Sequence, residues 1–279
     1  MNIQIMTESI QIKRAVLGFS GWPDAGRLIE FCFIQLAQMA PQKLAASWDL
    51  DGYWQIDAVR PQISVRHGQI QQFTWPSFQF FTCEANSAIL TGYGPEPSFS
   101  WRTFAKELIG QLKAWGCREI YLLGSLLDQI FHDEVLISSI VQDSAGYNQV
   151  RELGCKLIEY EGQSSVHSAV MLEARHADIR CMSFWAHLPF YINNPNELVA
   201  AELLRLLSPL LGVEVHTDEL RQAWKKREKQ IEQLVQQDQG LRRTLESVKK
   251  QKVMRARPSS KIIRFEDFLK KRSDDPEKE

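Results

Sequence analysis

Wholly apolar short runs alternate with amphipathic ones along most of the chain. Arg14–Ser20 carries the run AVLGF and ends in Gly-Trp-Pro-Asp, the pattern of a buried strand running into a turn. Asp24 stands where a helix N-cap belongs. Leu28, Ile29, Phe31, Cys32, Ile34, Leu36 and Met39 then recur on a helical stripe that stops before Pro41. Segments Leu44–Leu50, Ile63–Val65, Ile70–Trp75, Phe78–Cys83 and Ala88–Gly92 are rich in Val, Ile, Thr and aromatics and closely spaced, which predicts sheet additions or hairpins. A helix over Phe99–Trp115 leads into a second buried strand, Glu119–Gly124 (EIYLLG). Helix Asn148–Leu153 precedes strand Lys156–Tyr160, helix Ser168–Ala177 precedes strand Ile179–Ala186, and helix Asn196–Leu211 follows. Strands alternating with helices predict an α/β fold, a mostly parallel mixed sheet flanked by helices.

After Gly212 the pattern changes. Thr217–Lys252 is rich in Gln, Glu, Lys and Arg, and its apolar residues Trp224, Ile231, Leu234, Leu241, Leu245 and Val248 fall on a heptad-like seam that Arg227 and Asp238 interrupt. A long helix is expected, packed on its own or a neighbouring subunit in preference to forming an isolated coiled coil. The division is therefore an α/β domain over 1–212, a C-terminal helical extension over 213–252, and a linker and tail over 253–279. Within that tail, 261–271 (KIIRFEDFLKK) offers Ile262, Ile263, Phe265, Phe268 and Leu269 as candidate partner contacts, either as a docking arm or as a short amphipathic helix, the equal alternative being a frayed tail. The end, RSDDPEKE, is expected to be disordered.

Charge narrows the picture. Lys plus Arg is 33 and Asp plus Glu is 34, so nothing pulls the whole chain toward nucleic acid or an anionic membrane. The aromatics Trp48, Tyr53, Trp54, Phe73, Trp75, Phe78, Phe80 and Phe81 alternate as strand core does and are not interleaved with basic residues, which also argues against nucleic acid. Five scattered cysteines without a Cys-x-x-Cys read as reduced core residues. No signal core and no membrane-length apolar run stands in the chain, so the expected location is cytoplasmic and no membrane partner is expected.

The most distinctive segment is Gly18–Gly26 (GFSGWPDAG). Its glycines serve either positive φ in a tight turn or close approach to the backbone. It opens a helix, which invites a phosphate. Yet no Gly-Lys-Ser/Thr follows, no Gly-x-Gly-x-x-Gly spacing is present, and Asp24 would repel an anion. The favoured reading is a rigid turn with Trp22 and Pro23 as packing elements. Ser20 and Ser125 do not form Gly-x-Ser-x-Gly, so no nucleophile elbow is expected. The six histidines show no metal-binding spacing, and no metal or cofactor is expected. Asp24, Asp128 and His187 lie past the carboxyl ends of expected strands, the edge at which open α/β sheets bind ligands. Two carboxylates there would suit acid-base work or would cap helices. The candidate pocket is thus Gly21, Trp22, Asp24, Asp128, His132, His167 and His187.

GFSGWPDAG, Arg60-Pro61, LTGYGPEPSFSWRTFA (Leu90–Ala105), YLLGSLLD (Tyr121–Asp128), YEGQSSVHSAV (Tyr160–Val170), FWAHLPFYINNP (Phe184–Pro195) and WKKREKQIEQLVQQD (Trp224–Asp238) together resemble the PAC2 family, named for proteasome assembly chaperone 2, in its bacterial branch. The resemblance implies one α/β domain similar in fold to nucleoside phosphorylases with a helical extension, and a self-associating protein for which a trimer is one assembly. The rim loops depart from the family: Phe131-His132-Asp133-Glu134-Val135 keeps only the His of a Pro-His-Thr-Arg-Pro-like stretch, Gly162–Val166 replaces Gly-Pro-Thr-Gly-Ile, and Pro189-Phe190-Tyr191 replaces Pro-His-Tyr. The chain ends in Pro-Glu-Lys-Glu without the hydrophobic-Tyr-X tail of some proteasome partners. A strict reaction tolerates such drift poorly and a scaffold tolerates it well. The expectation is a non-enzymatic interaction or assembly-chaperone-like protein. The alternative is an enzyme or nucleotide or small-molecule binder using the strand ends near Asp24 and Asp128.

Overall fold

In a computed structural model, residues 2–6, 10–49, 51–84 and 86–256 are described, from 251 on by backbone alone. The chain divides into two compact units, Met1–Gln230 and Ile231–Glu279.

The expected strands and helices form the first unit. The strands are β1 (Asn2–Ile5), β2 (Arg14–Ser20), β3 (Gln42–Asp49), β4 (Gln62–Arg66), β5 (Gln69–Thr74), β6 (Ser77–Cys83), β7 (Ile89–Pro95), β8 (Glu119–Asp128), β9 (Ile137–Val141), β10 (Lys156–Leu157) and β11 (Arg180–Pro189). The helices are α1 (Leu28–Met39), α2 (Trp101–Ala114), α3 (Ser144–Glu152), α4 (Val166–His176) and α5 (Glu197–Leu211), with α6 (Asp218–Gln237) and α7 (Gln239–Ala256) following. Nine strands make one mixed sheet in the order β1-β3-β6-β7-β2-β8-β11-β9-β10. Its centre is β7-β2-β8-β11, all parallel, with Arg14 opposite both Ile89 and Glu119, and Arg180 opposite Glu119.

Period-2 alternation along the central strands sends side chains to two cores. Leu17 and Phe19 of β2 and Ile120 and Leu122 of β8 face α2 and α4, meeting Phe104, Leu108, Val166 and Val170. Val16, Tyr121, Leu123 and Phe184 face α1 and α5, meeting Leu28, Ile29, Cys32, Leu203 and Leu207. Being buried on both faces, these strands read as continuous apolar runs. All five cysteines are unpaired and buried. Burial pushes the thiols of Cys32, Cys117, Cys155 and Cys181 up.

Several details differ from the sequence reading. On α1, Leu28, Ile29, Cys32 and Leu36 are buried, but Ile34 points out, because the helix covers the sheet with one stripe only. Trp48, Phe78 and Phe80 are core, whereas Phe73 and Trp75 are exposed: β4 and β5 form a separate two-stranded sheet rather than part of the core. Strand β1 alternates over only four residues and β9 (ISSIV) has little period of its own; both join by pairing, β1 to β3 and β9 to β11.

The first turns of α6 lie on the first unit. Leu220 and Trp224 are buried, the Trp224 ring lies 6.5 Å from that of His132, and Arg221 pairs with Glu202. Arg227, the charge that interrupts the expected seam, donates to Pro195 O at 2.9 Å and pairs with the buried Glu197 at 2.6 Å. In the second unit, Asp238 falls between α6 and α7 and its carboxylate accepts from the Leu241 amide, which restarts the helix. No helix among the described residues is long and apolar enough to cross a membrane. Ile262, Ile263, Phe265, Phe268 and Leu269 lie outside the described residues.

Candidate functional site

Parallel pairing brings the carboxyl ends of β2, β7, β8 and β11 to one edge, and there the candidate residues separate into distinct structural jobs.

Both reasons for glycine operate in the turn after β2. A Cβ on Gly18 would come within 2.6 Å of Ile29 Cγ2 and of Phe33 Cε2, so α1 approaches β2 only over glycine. Gly21 has φ 101°, open to glycine at no steric cost. Pro23 is buried, but Trp22 is 58% exposed, its ring edge-to-face with that of Trp185 at a centroid distance of 6.2 Å. Of the two expected packing elements, the proline packs and the tryptophan lies mostly on the surface.

Asp24 is buried and fully engaged. Its carboxylate accepts from the Ile29 amide at 2.6 Å and the Glu30 amide at 3.2 Å, and from the Tyr93 hydroxyl at 3.0 Å. The Ser125 hydroxyl donates to Ala25 O at 2.9 Å and lies 3.4 Å from the same carboxylate. The chain makes a short 3-10 turn, Ala25–Arg27, before α1, so Asp24 caps α1 from outside in place of Arg27, which has no capping side-chain bond. Burial pushes the Asp24 carboxyl up, against the backbone and Tyr93 hydrogen bonds that draw it down.

A second carboxylate, unforeseen in the sequence, does the same on the opposite face. Glu96, just past β7, accepts from the Val166 amide at 2.9 Å, the first residue of α4, and burial pushes its carboxyl up. Ser165 accepts from the His167 amide at 3.2 Å, and Asn196 accepts from Leu198 and Val199 at the start of α5. The helix ends that would hold an anion are occupied by the chain's own oxygens. Glu96 could have been found from its place past a buried strand, the same signal that marked Asp24.

Asp128 does not join Asp24. Ser125 and Asp128 stand three apart on β8, so alternation turns them to opposite faces of the sheet. Instead Asp128 Oδ2 lies 2.7 Å from His187 Nδ1, and His187 Nε2 lies 2.8 Å from Ser138 Oγ on β9. With the proton on Nδ1, His187 donates to Asp128 and accepts from Ser138. This has the connectivity of a nucleophile, base and orienting acid. Ser138, however, is wholly buried and sits opposite Trp185 in the β9–β11 ladder, so no substrate carbonyl reaches it. The chain of bonds ties β8, β11 and β9 together.

His167 and His132 are elsewhere. His167 is inside the core, its Nδ1 2.9 Å from Ser183 Oγ, its ring 4.9 Å from Trp185 and 5.7 Å from Phe19. Its Nε2 has no hydrogen-bond partner, and burial pushes its pKa down to about 3. His132 is half-buried, with its amide donating to Tyr191 Oη at 2.8 Å and its Nδ1 2.8 Å from the same oxygen. Three surface depressions of about 500, 560 and 440 Å³ are lined by other residues. The first lies at the opposite edge, around Lys13, Arg14, Gly116 and Arg118. Among the described residues no cluster of His, Cys, Asp and Glu is suited to hold a metal ion.

The architecture is therefore that of an α/β protein in which Asp24 and Glu96, at the carboxyl ends of the central strands, accept from the first amides of α1 and α4. The PAC2 family model matches residues 18–235, and the chain belongs to the PAC2 family. Its structure is similar to that of a Mycobacterium tuberculosis proteasome-assembly chaperone homologue, with 25% identity, TM-score 0.75, and 83% of this chain and 99% of that one covered. A PAC2 family protein from Streptomyces avermitilis matches at 24% identity and TM-score 0.73 over 84% of this chain and 99% of the other. PbaA of Pyrococcus furiosus, an archaeal homologue of proteasome-assembly chaperone, matches at 18% identity and TM-score 0.62 over 90% and 98%. Among curated proteins, none is significantly similar to the chain in sequence.

Proposed function

We propose that this chain is a non-enzymatic, assembly-chaperone-like interaction protein that acts through its surfaces, self-associates, and engages a protein partner through the C-terminal helix or the 261–271 segment. The observation that carries the reading is that two strand-end carboxylates, the buried Asp24 and the half-buried Glu96, are spent on the helix ends of α1 and α4. A residue held in that way stabilises a scaffold and is not available to a substrate. Family membership and the likeness to a bacterial proteasome-assembly chaperone homologue support the same class. Capture of a partner with and without residues 253–279 tests the tail: a partner retained equally by the truncated chain removes the docking-arm reading.

The Asp128–His187–Ser138 chain of hydrogen bonds is the observation that favours the second reading, a small-molecule site on the same edge. A thermal-shift screen against nucleosides, nucleotides and small carboxylates separates the two. No shift is expected. A ligand whose shift disappears in Asp24→Asn or in His187→Gln would establish the binder instead.

A further inference from the structure

The β4–β5 hairpin carries a built apolar face with nothing on it. Arg66 and Gln69 are joined by a two-residue turn in which His67 has φ 50° and Gly68 φ 76°, the tight turn whose twist matches the strands. Ile63 lies opposite Phe73, and Val65 opposite Ile70. Ile70 and Phe73 are an odd number of residues apart and would ordinarily face opposite ways. The register shift between Ser64 and Val65 leaves Gln71 unpaired and turns Ile70 to the side of Phe73. One face is therefore Ile63, Val65, Ile70 and Phe73, extended by Trp75, whose ring lies 5.0 Å from that of Phe73. The other face is wholly polar: Gln62 opposite Thr74, Ser64 opposite Gln72, Arg66 opposite Gln69. Such a pattern belongs to a half-buried sheet, yet every residue of both strands is exposed, and the five apolar side chains are 48–66% exposed. Two strands alone are marginal in water.

From this we infer that the apolar face of the β4–β5 hairpin is a self-association surface, covered by the same face of a second copy of the chain. The proposal rests on the reading above that the protein works through surfaces, and it names one of them. Three features point to a copy. The face bears no charge, so it offers nothing to an acidic or basic partner. It runs from aromatic Phe73 and Trp75 at one end to aliphatic Val65 and Ile70 at the other, so a two-fold axis lays aromatic over aliphatic twice. The five side chains expose roughly 500 Å² per copy, so two faces together bury about 1,000 Å², the size at which specific interfaces begin. Packed face to face, two hairpins make a four-stranded sandwich about 10 Å between sheets. The contact is pairwise and gives even-numbered assemblies.

The test is sedimentation equilibrium of the full chain over a range of concentrations, beside Ile70→Glu, Phe73→Glu, the polar-face control Gln72→Glu, and a chain lacking residues 257–279. The wild type, the control and the truncated chain should form even-numbered assemblies, and each apolar-face variant should associate at least tenfold more weakly. A second measurement uses the burial of all five native cysteines: Ile63→Cys, at the middle of the face and so near the two-fold axis, should give a covalent dimer with a short bifunctional maleimide. The proposal is overturned if the wild type is monomeric, if it is an odd-numbered assembly, if truncation rather than hairpin substitution breaks the assembly, or if Ile63→Cys does not cross-link. Each of those failures leaves partner capture and ligand screening untouched as tests of the broader reading.

Discussion

His167→Gln is expected to make the protein less sensitive to acid. In the folded chain the imidazole is buried, with one nitrogen on Ser183 and the other unpartnered, so it stays neutral down to about pH 3. In the unfolded chain it titrates near 6.5. Below 6.5 the unfolded state takes up a proton that the folded state refuses, so stability is lost as pH falls, through a window from 6.5 to about 3. At pH 5 the unfolded pKa sits 1.5 units above the pH, which makes the loss about 2 kcal/mol, since each unit is worth about 1.4 kcal/mol. His167→Gln removes that titration. The variant should lose about 1 kcal/mol at pH 7.5 from imperfect packing and a weakened bond to Ser183. Between pH 7.5 and pH 5.0 it should then lose about 2 kcal/mol less than wild type. Urea unfolding followed by far-UV circular dichroism at the two pH values gives the comparison, and all other titrating groups cancel in the difference. Equal losses in the two proteins would mean that His167 reaches solvent and titrates normally, and the closed-core account of this residue would fail.

Trp224→Ala should cost about 3 kcal/mol in urea unfolding, as a large buried side chain leaves a cavity within the first unit, under the first turns of α6. A loss below 1 kcal/mol would mean that the first turns of α6 are not held there. Arg227→Ala strands the Glu197 carboxylate; allowing for the part-exposed arginine, the loss should be about 2 kcal/mol, and Arg227→Lys should restore only part of it. Gly18→Ala drives a methyl group into Ile29 and Phe33 and should lower the urea midpoint by the equivalent of about 2 kcal/mol, with an unchanged midpoint refuting the close approach.

The central strands and helices were legible because period and length agree: AVLGF and EIYLLG are too apolar to be anything but doubly buried, and Asn196 stands where α5 begins. Strand β9 was not legible, because ISSIV has little period of its own and is held by β11. The hairpin Ile63–Trp75 carries a strand pattern and forms strands, but its aromatics, whose alternation matches a core face, lie on the surface. The alternation that marks a buried face looks the same whether the cover comes from within the chain or from outside it. At the strand ends, position alone singled out Asp24, Asp128 and His187. The partners could not be read, since Ser138 and Tyr93 arrive from other strands and the face each side chain takes depends on register.

The central claim is that the strand-end carboxylates serve the fold, and the unfolding free energy of Asp24→Ala at pH 7.5 tests it most directly. The substitution removes a helix cap and leaves the Tyr93 hydroxyl without its acceptor, with partial relief from releasing a buried carboxylate. The account predicts a loss of about 2 kcal/mol. A variant as stable as wild type, or more stable, would contradict it, because that is the behaviour of a carboxylate held at a cost to the fold for chemistry or binding.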